Sequence, residues 1–180
     1  MVDEPELSMH PKWQEKILGY YKNLFTDDAG SQFSQLLFAS HSTGVISNAL
    51  QDLDNTKVFV LRTDDNGSIV SGNIEKPSVL PYTLAAEINY QAFDIASTDY
   101  HNALYGYIEA EGWLPNFRAK YQFETYNKLH KDGTTESCKV SLSEKIRHII
   151  HHPENRHNSY TLEQLKESID RMRNFIMNQP

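Results

Sequence analysis

The first fourteen residues constrain the fold most, because an apolar start runs directly into two adjacent carboxylates. Asp3 and Glu4 follow Val2, a proline-interrupted loop comes next, and Pro11 suits the first turn of a helix. Neighbouring residues at the end of a strand point to opposite sides, so the two carboxylates can take different tasks. Such a pair suits a metal-assisted hydrolytic site, in which one carboxylate holds Mg²⁺ and the other polarises the attacking water.

Residues 2–11, Val-Asp-Glu-Pro-Glu-Leu-Ser-Met-His-Pro, resemble the Walker B and D-loop segment of ABC-type ATPases. They are similar to the branch with a Glu-Leu-x-x-His-Pro D-loop, which includes SMC-like and RecF-like ATPases, overcoming-lysogenization-defect nucleases and AAA-family ATPases of bacterial defence. The resemblance implies ATP and Mg²⁺ as cofactors, with Asp3 holding the metal and Glu4 acting as general base. It also implies that the D-loop residues contact a second subunit across a nucleotide-sandwich homodimer, with Ser8, Met9 and His10 at the contact.

A second run, residues 35–42, reads Gln-Leu-Leu-Phe-Ala-Ser-His-Ser. It predicts a buried strand over residues 35–39 that ends in small polar residues and a histidine. The resembled family has an H-loop at such a place, and its histidine reaches the γ-phosphate, so the resemblance assigns that role to His41. A lone loop histidine is more often structural, but the place after a strand and one helix beyond the acidic pair favours the γ-phosphate role.

Length and charge narrow the classes of protein. The 180 residues suffice for one good core or two small ones, and the single cysteine, Cys138, excludes a disulfide framework. No apolar run has the length of a membrane span, and no signal peptide is visible, so we expect a cytoplasmic protein without membrane contact. The net charge of −7 argues against broad nucleic-acid binding, which we expect only through the parent protein.

The N-terminal part reads as α/β, with an amphipathic helix over residues 11–25, a helix over residues 43–53 capped by Ser42 or Thr43, and a hairpin. The hairpin strands are residues 57–62 and 68–74, which flank Asp64-Asp65-Asn66-Gly67. Two adjacent aspartates could belong to a metal site. They stand where a turn favours Asp and Asn, so we interpret both as turn residues.

The remainder, residues 79–180, is predicted to be all-helical. Aromatic residues at helical spacing continue through residues 117–126, where helix packing is favoured over stacking on bases, and a loop follows at residues 131–137. Ser141 with Glu144 has capping-box spacing, and the helix that begins there ends at His152. The last helix begins near Thr161 and aligns an apolar face of Leu162, Leu165, Ile169, Met172 and Ile176.

Arg147 and His152, separated by four residues, resemble the active motif of HEPN-type ribonucleases, helical domains found in toxin and defence systems. There a histidine handles the proton of the scissile 2′-hydroxyl and an arginine stabilises the phosphate. Five steps along a regular helix place two side chains roughly 140° apart, too wide for one phosphate unless the helix frays before Pro153. The alternative is a helix terminus at which the imidazoles lie near the negative end of the dipole.

A nucleotide site of the resembled class also needs a Gly-rich loop with Lys before Ser or Thr, and the sequence contains no Gly-Lys pair. We therefore expect residues 1–78 to be the C-terminal part of an ABC-type ATPase core, with the helical region at 79–180 beyond it. The missing N-terminal ATPase portion is then the expected partner. The parent would bind and hydrolyse ATP, and this chain, as the product of a truncated gene, of a split gene or as a fragment, would be inactive alone.

Overall fold

The computed structural model describes residues 1–64, 66–76, 78–121 and 123–179. These ranges contain α-helices and three separate two-stranded sheets, which confirms the predicted mixed α/β composition. The chain divides into two compact units, Met1–Pro77 with Glu87–Asp94 and Ser78–Ala86 with Ile95–Pro180. Among the described helices, none combines the length and the apolar character that crossing a bilayer requires.

The first unit begins with a short parallel sheet. Its elements are β1 (Val2–Asp3), α1 (Pro11–Gln14), α2 (Ile17–Leu24), β2 (Phe38–Ala39), α3 (Thr43–Leu50), β3 (Phe59–Thr63), β4 (Ile69–Asn73) and most of α4 (Ala85–Phe93). β1 pairs with β2 in parallel. The strand predicted over residues 35–39 is shorter than expected, because β1 offers only two paired residues and Phe33 turns back to donate its N–H to the carbonyl of Phe25.

The single helix expected over residues 11–25 is in fact two helices. α1 closes with a tight turn, in which the Lys16 N–H donates to the Trp13 carbonyl at 3.0 Å, and α2 begins at Ile17. Ile17 is buried, whereas three other apolar residues of the predicted amphipathic helix are exposed: Trp13, Tyr20 and Leu24. The break also leaves the side chain of Gln14 free to bond outside the helix.

The hairpin of β3 and β4 confirms the prediction from the Asn-Gly signal. Asp64 Oδ1 accepts from the N–H groups of Asn66 at 2.9 Å and Ser68 at 2.8 Å, and Gly67 has φ of 78°. Asp64 is therefore a turn residue, as predicted, while Asp65 lies outside the described residues. The core of this unit joins α3, α4 and the strand end through Ile46, Leu50, Ile74, Ile88 and Ala92.

The second unit consists of α5 (Thr98–Ala110), α6 (Leu114–Lys120), β5 (Phe123–Leu129), β6 (Thr135–Ser141), α7 (Leu142–His151) and α8 (Leu162–Met177). Its aromatic residues are packing groups, because Tyr100 and Phe117 are fully buried and Phe117 meets Phe175 edge to face. The predicted apolar face of α8 is buried from Leu165 onward, but Leu162 is 65% exposed at the first turn.

The expectation of an all-helical region from residue 79 is wrong, because β5 and β6 form an antiparallel hairpin. The aromatic residues of 123–126 alternate between exposed Phe123 and buried Tyr126, and β-branched residues support the strands. The predicted loop over residues 131–137 is only a tight turn at its start, where Gly133 has φ of 82° and Asp132 Oδ1 accepts from the Thr134 N–H at 2.9 Å.

Local caps explain where the last two helices begin. Ser141 Oγ accepts from the Glu144 N–H at 3.2 Å. The Glu144 carboxylate accepts from Arg118 and does not form the second hydrogen bond of a capping box. Thr161 and Gln164 form a full capping box at the start of α8. Both predicted helix starts are confirmed.

A buried polar chain connects the helices of the second unit. His101 Nε2 lies 3.0 Å from Ser168 Oγ, which donates to Ser143 Oγ at 2.7 Å. Burial disfavours the charged imidazole and is the main reason why the pKa of His101 is lowered to about 4, and the positive charge of Arg147 acts in the same direction. The Asn102 side chain opposes this lowering of the His101 pKa by favouring the charged imidazole, but it does not offset the effect of burial.

This pKa predicts a loss of stability in mild acid. Because the folded state binds the proton of His101 only near pH 4, the unfolded state binds it first as the pH falls from about 6.5. The free energy of unfolding should fall by up to about 3 kcal/mol across that window. Urea unfolding followed by Trp113 fluorescence, in a Trp13→Phe background, measures it at several pH values.

His101→Gln should remove most of that pH dependence, since the amide does not titrate. His157→Gln is the matched control, because His157 is exposed and should leave the dependence unchanged. An equal pH dependence in the His101→Gln variant and the parent would contradict the assignment.

Candidate functional site

The acidic pair follows β1 and lies at the carboxyl end of the parallel sheet. The Glu4 N–H donates to the Ala39 carbonyl at 2.8 Å, which extends the pairing by one bond beyond Asp3. Glu4 then takes the left-handed conformation, with φ of 44°, and the chain leaves the strand direction there. Both carboxylates are exposed at this edge, where parallel sheets characteristically present ligand-binding groups.

His41 lies beside Glu4. The two strands end together, so the residues after β1 and after β2 meet at one edge of the sheet. His41 Nε2 is 3.9 Å from Glu4 Oε1, and the side chains are 84% and 45% exposed. An exposed imidazole and a half-exposed carboxylate at this distance can both approach one small anionic ligand or the water next to it.

The loop between β1 and α1 is built from tight turns. The Leu7 N–H donates to the Glu4 carbonyl and the Met9 N–H to the Glu6 carbonyl, at 3.0 and 2.9 Å. Ser8 adopts the left-handed conformation with φ of 64° and is exposed. His10 is also exposed, and its Nδ1 accepts from the Lys12 N–H at 3.3 Å as the N-cap of α1. The predicted D-loop residues therefore lie on an accessible surface.

Sequence reasoning missed a buried carboxylate in this loop. Glu6 is only 8% exposed, and its Oε1 accepts from Ser40 Oγ and from the His41 N–H. Nothing in the sequence distinguishes Glu6 from a solvated loop acid, apart from the two small hydroxyl residues that flank His41. The hydrogen bonds of the Gln14 side chain with Ser42 Oγ and the Met9 carbonyl were also not predicted, because they depend on α1 ending at Gln14.

The donor set at this edge suits a phosphate-bound magnesium ion. Among the described residues, no group of three or more His, Cys, Asp or Glu is placed to enclose a metal. Mg²⁺ in phosphate sites is typically held by one or two carboxylates together with phosphate oxygens and water. Asp3 is an exposed carboxylate at the strand end, so its chemistry fits that kind of site.

The second candidate, Arg147 with His152, is arranged differently. Arg147 Nη1 lies 2.9 Å from Glu109 Oε2, and its guanidinium lies over the Tyr105 ring at 4.3 Å. His152 follows α7 as its C-cap, and its Nδ1 lies 3.1 Å from Glu154 Oε1. The two side chains thus pair with different carboxylates.

His148, between the two, packs against the core. Its ring lies 5.0 Å from the Tyr126 ring, and Asn155 fastens the following loop by donating to the Asn127 carbonyl at 2.8 Å. Partial burial is the main cause that lowers the pKa of His148, while the Glu144 carboxylate opposes the shift. This end of α7 therefore has the contacts of a packed helix terminus.

Comparison with known protein families adds one finding. A family model described as "AAA domain, putative AbiEii toxin, Type IV TA system" matches residues 1–47. The matched segment contains the acidic pair, the turn-rich loop and His41, and it relates this part of the chain to AAA-family ATPases. A comparison with curated proteins finds no match to the chain.

The separate partners of Arg147 and His152 predict that the chain does not cleave RNA through this motif. We expect no cleavage of a mixed-sequence RNA by the purified chain, analysed on a denaturing gel. The Arg147→Ala and His152→Ala double variant should behave identically. Cleavage by the parent chain that disappears in the double variant would contradict this prediction.

Proposed function

We propose that residues 1–47 are the Walker B, D-loop and H-loop part of a nucleotide site in an ABC-type, AAA-family ATPase. Its branch is the one that includes SMC-like and RecF-like ATPases and the overcoming-lysogenization-defect nucleases. The observation that carries the proposal is the 3.9 Å approach of His41 to Glu4 at the common end of two parallel strands. The family match over the same residues supports it independently of this geometry.

Each residue has a distinct task in this proposal. Asp3 would hold a Mg²⁺ ion, which would neutralise charge on the phosphates, and Glu4 would accept the proton of the attacking water. Glu4 is half exposed at the sheet edge, so water can reach its carboxylate. His41 contacts the γ-phosphate, where its exposed ring donates a hydrogen bond to the oxygens on which charge develops.

The remainder of the site comes from two further surfaces. The N-terminal ATPase portion supplies the phosphate-binding loop and further strands, for which β1 and β2 offer edges that are unpaired among the described residues. Exposed apolar side chains next to these strands, Leu7 and Leu37, suit burial by such a partner. Ser8, Met9 and His10 contact the second subunit of a nucleotide-sandwich homodimer.

We place the ATPase in the cytoplasm, in a bacterial defence system of the abortive-infection or toxin–antitoxin kind. The words of the matched family description support that setting. In it, nucleic acid would be contacted through the parent protein, because this chain carries a net charge of −7.

The first prediction of the proposal concerns the chain alone. Without the amides of a Gly-rich loop to surround the phosphates, Mg-ATP should not bind measurably at sub-millimolar concentration. Isothermal titration calorimetry measures this directly, with Mg-ADP as a comparison. Micromolar affinity for Mg-ATP would show that the chain has a complete phosphate site of its own and would contradict the proposed division.

The second prediction concerns the ATPase assembled with a polypeptide that carries the phosphate-binding loop. Glu4→Gln should retain ATP binding, because the amide keeps the shape of the side chain, and should lower turnover by about two or more orders of magnitude. Glu15→Gln removes an exposed carboxylate of the same unit and serves as the matched control. Unchanged turnover in Glu4→Gln would remove Glu4 from the mechanism.

A further inference from the structure

Glu6 is an ionisable residue in an exposed loop, yet its side chain is withdrawn from solvent. It is 8% exposed, whereas its neighbours Leu7 and Ser8 are exposed. Burying a carboxylate is unfavourable unless hydrogen bonds compensate for the lost water. The contacts of Glu6 therefore indicate what its burial achieves.

Those contacts are concentrated on the residues around His41. Glu6 Oε1 accepts from Ser40 Oγ at 2.5 Å and from the His41 N–H at 3.3 Å. Ser40 Oγ in turn accepts from the Ser42 N–H at 3.0 Å. One carboxylate oxygen therefore holds the backbone on the N-terminal side of His41 directly and the backbone on its C-terminal side through Ser40.

A closed ring of hydrogen bonds supports this arrangement. Ser42 Oγ donates to Gln14 Oε1 at 2.7 Å, and Gln14 Nε2 donates to the Met9 carbonyl at 3.1 Å. The Met9 N–H donates to the Glu6 carbonyl at 2.9 Å, which returns the ring to its start. The loop after β1 and the turn after β2 are thereby fixed to each other.

Glu6 does not have the geometry of a group that meets a ligand. Its second oxygen, Oε2, is buried and has no hydrogen-bond partner among the described residues, while Oε1 is occupied by Ser40 and His41. Glu4, by contrast, is 45% exposed and lies next to the imidazole of His41. Glu4 can therefore meet a ligand or water, whereas Glu6 is occupied by contacts within the protein.

We propose that Glu6 is a positioning residue that sets the His41 backbone so that the imidazole stands beside Glu4. The role given to His41 rests on the proposed function, whereas the geometric coupling does not require nucleotide. A charged hydrogen-bond acceptor is strong enough for this task, because hydrogen bonds to charged groups are roughly twice as strong as neutral ones.

The test is an NMR comparison of the whole chain in the absence of nucleotide. Glu4→Gln changes the charge beside His41, so the carbon and proton chemical shifts of the His41 ring should respond. In the Glu6→Ala background that response should fall by about half or more, because the two side chains are no longer held together. The His41 amide should also exchange with solvent roughly tenfold faster, since it loses its acceptor.

Conservative and control variants separate positioning from general stabilisation. Glu6→Gln keeps an oxygen for Ser40 and His41, so it should retain the His41 response that Glu6→Ala loses. Glu15→Ala, at an exposed acid of the same unit, should leave the response intact. The signals of the β3–β4 hairpin report whether this unit remains folded. If Glu6→Ala unfolds this unit, the same measurements are made on Ser40→Ala, because that substitution removes the hydrogen-bonded link between Glu6 and Ser42.

An undiminished His41 response and amide exchange in a folded Glu6→Ala or Ser40→Ala variant would overturn the inference. That result would leave the ATPase proposal standing, since no nucleotide takes part. Conversely, an inactive assembled ATPase would not alter the measured coupling between Glu6, His41 and Glu4. The two claims therefore fail separately.

Discussion

The candidate site depends on the parallel pairing of β1 with β2. Two backbone hydrogen bonds, from Val2 to Leu37 and from Glu4 to Ala39, both at 2.8 Å, align strands that are far apart in sequence. Because the strands are parallel, the residues that follow them meet at one edge, and Glu4 and His41 become neighbours. Each backbone hydrogen bond contributes only about 1 kcal/mol net to stability. Because the sheet is this short, the additional hydrogen bonds around Glu6 are needed to keep its two loops in place.

The features that the sequence predicted correctly are mostly local ones. Examples are the Asn66-Gly67 turn, the cap at Ser141 and the capping box at Thr161. Each involves residues within four positions of one another, so side chains that are close in sequence determine its geometry. The acidic pair is also a short local motif, but its role in nucleotide hydrolysis stays a prediction. Its proximity to His41 was implied only by the family resemblance, because no local rule predicts which strands pair.

The errors arose where distant residues decide the outcome. Residues 123–129 carry aromatic groups at a spacing that suits a helix, but pairing with β6 makes them a strand. Glu6 looks like a solvated acid until Ser40 and His41 surround it. In each case a partner from elsewhere overrode the local pattern.

In the proposed ATPase, the end of the β1–β2 sheet faces the metal and phosphates of bound nucleotide. Paramagnetic relaxation by Mn²⁺ in place of Mg²⁺ tests it directly, with this chain isotopically labelled and assembled with an unlabelled phosphate-loop polypeptide and ATP. We expect the amide signals of Asp3, Glu4 and His41 to broaden strongly and those of the β3–β4 turn to stay sharp. Broadening centred elsewhere, or none at Asp3 and Glu4, would contradict it.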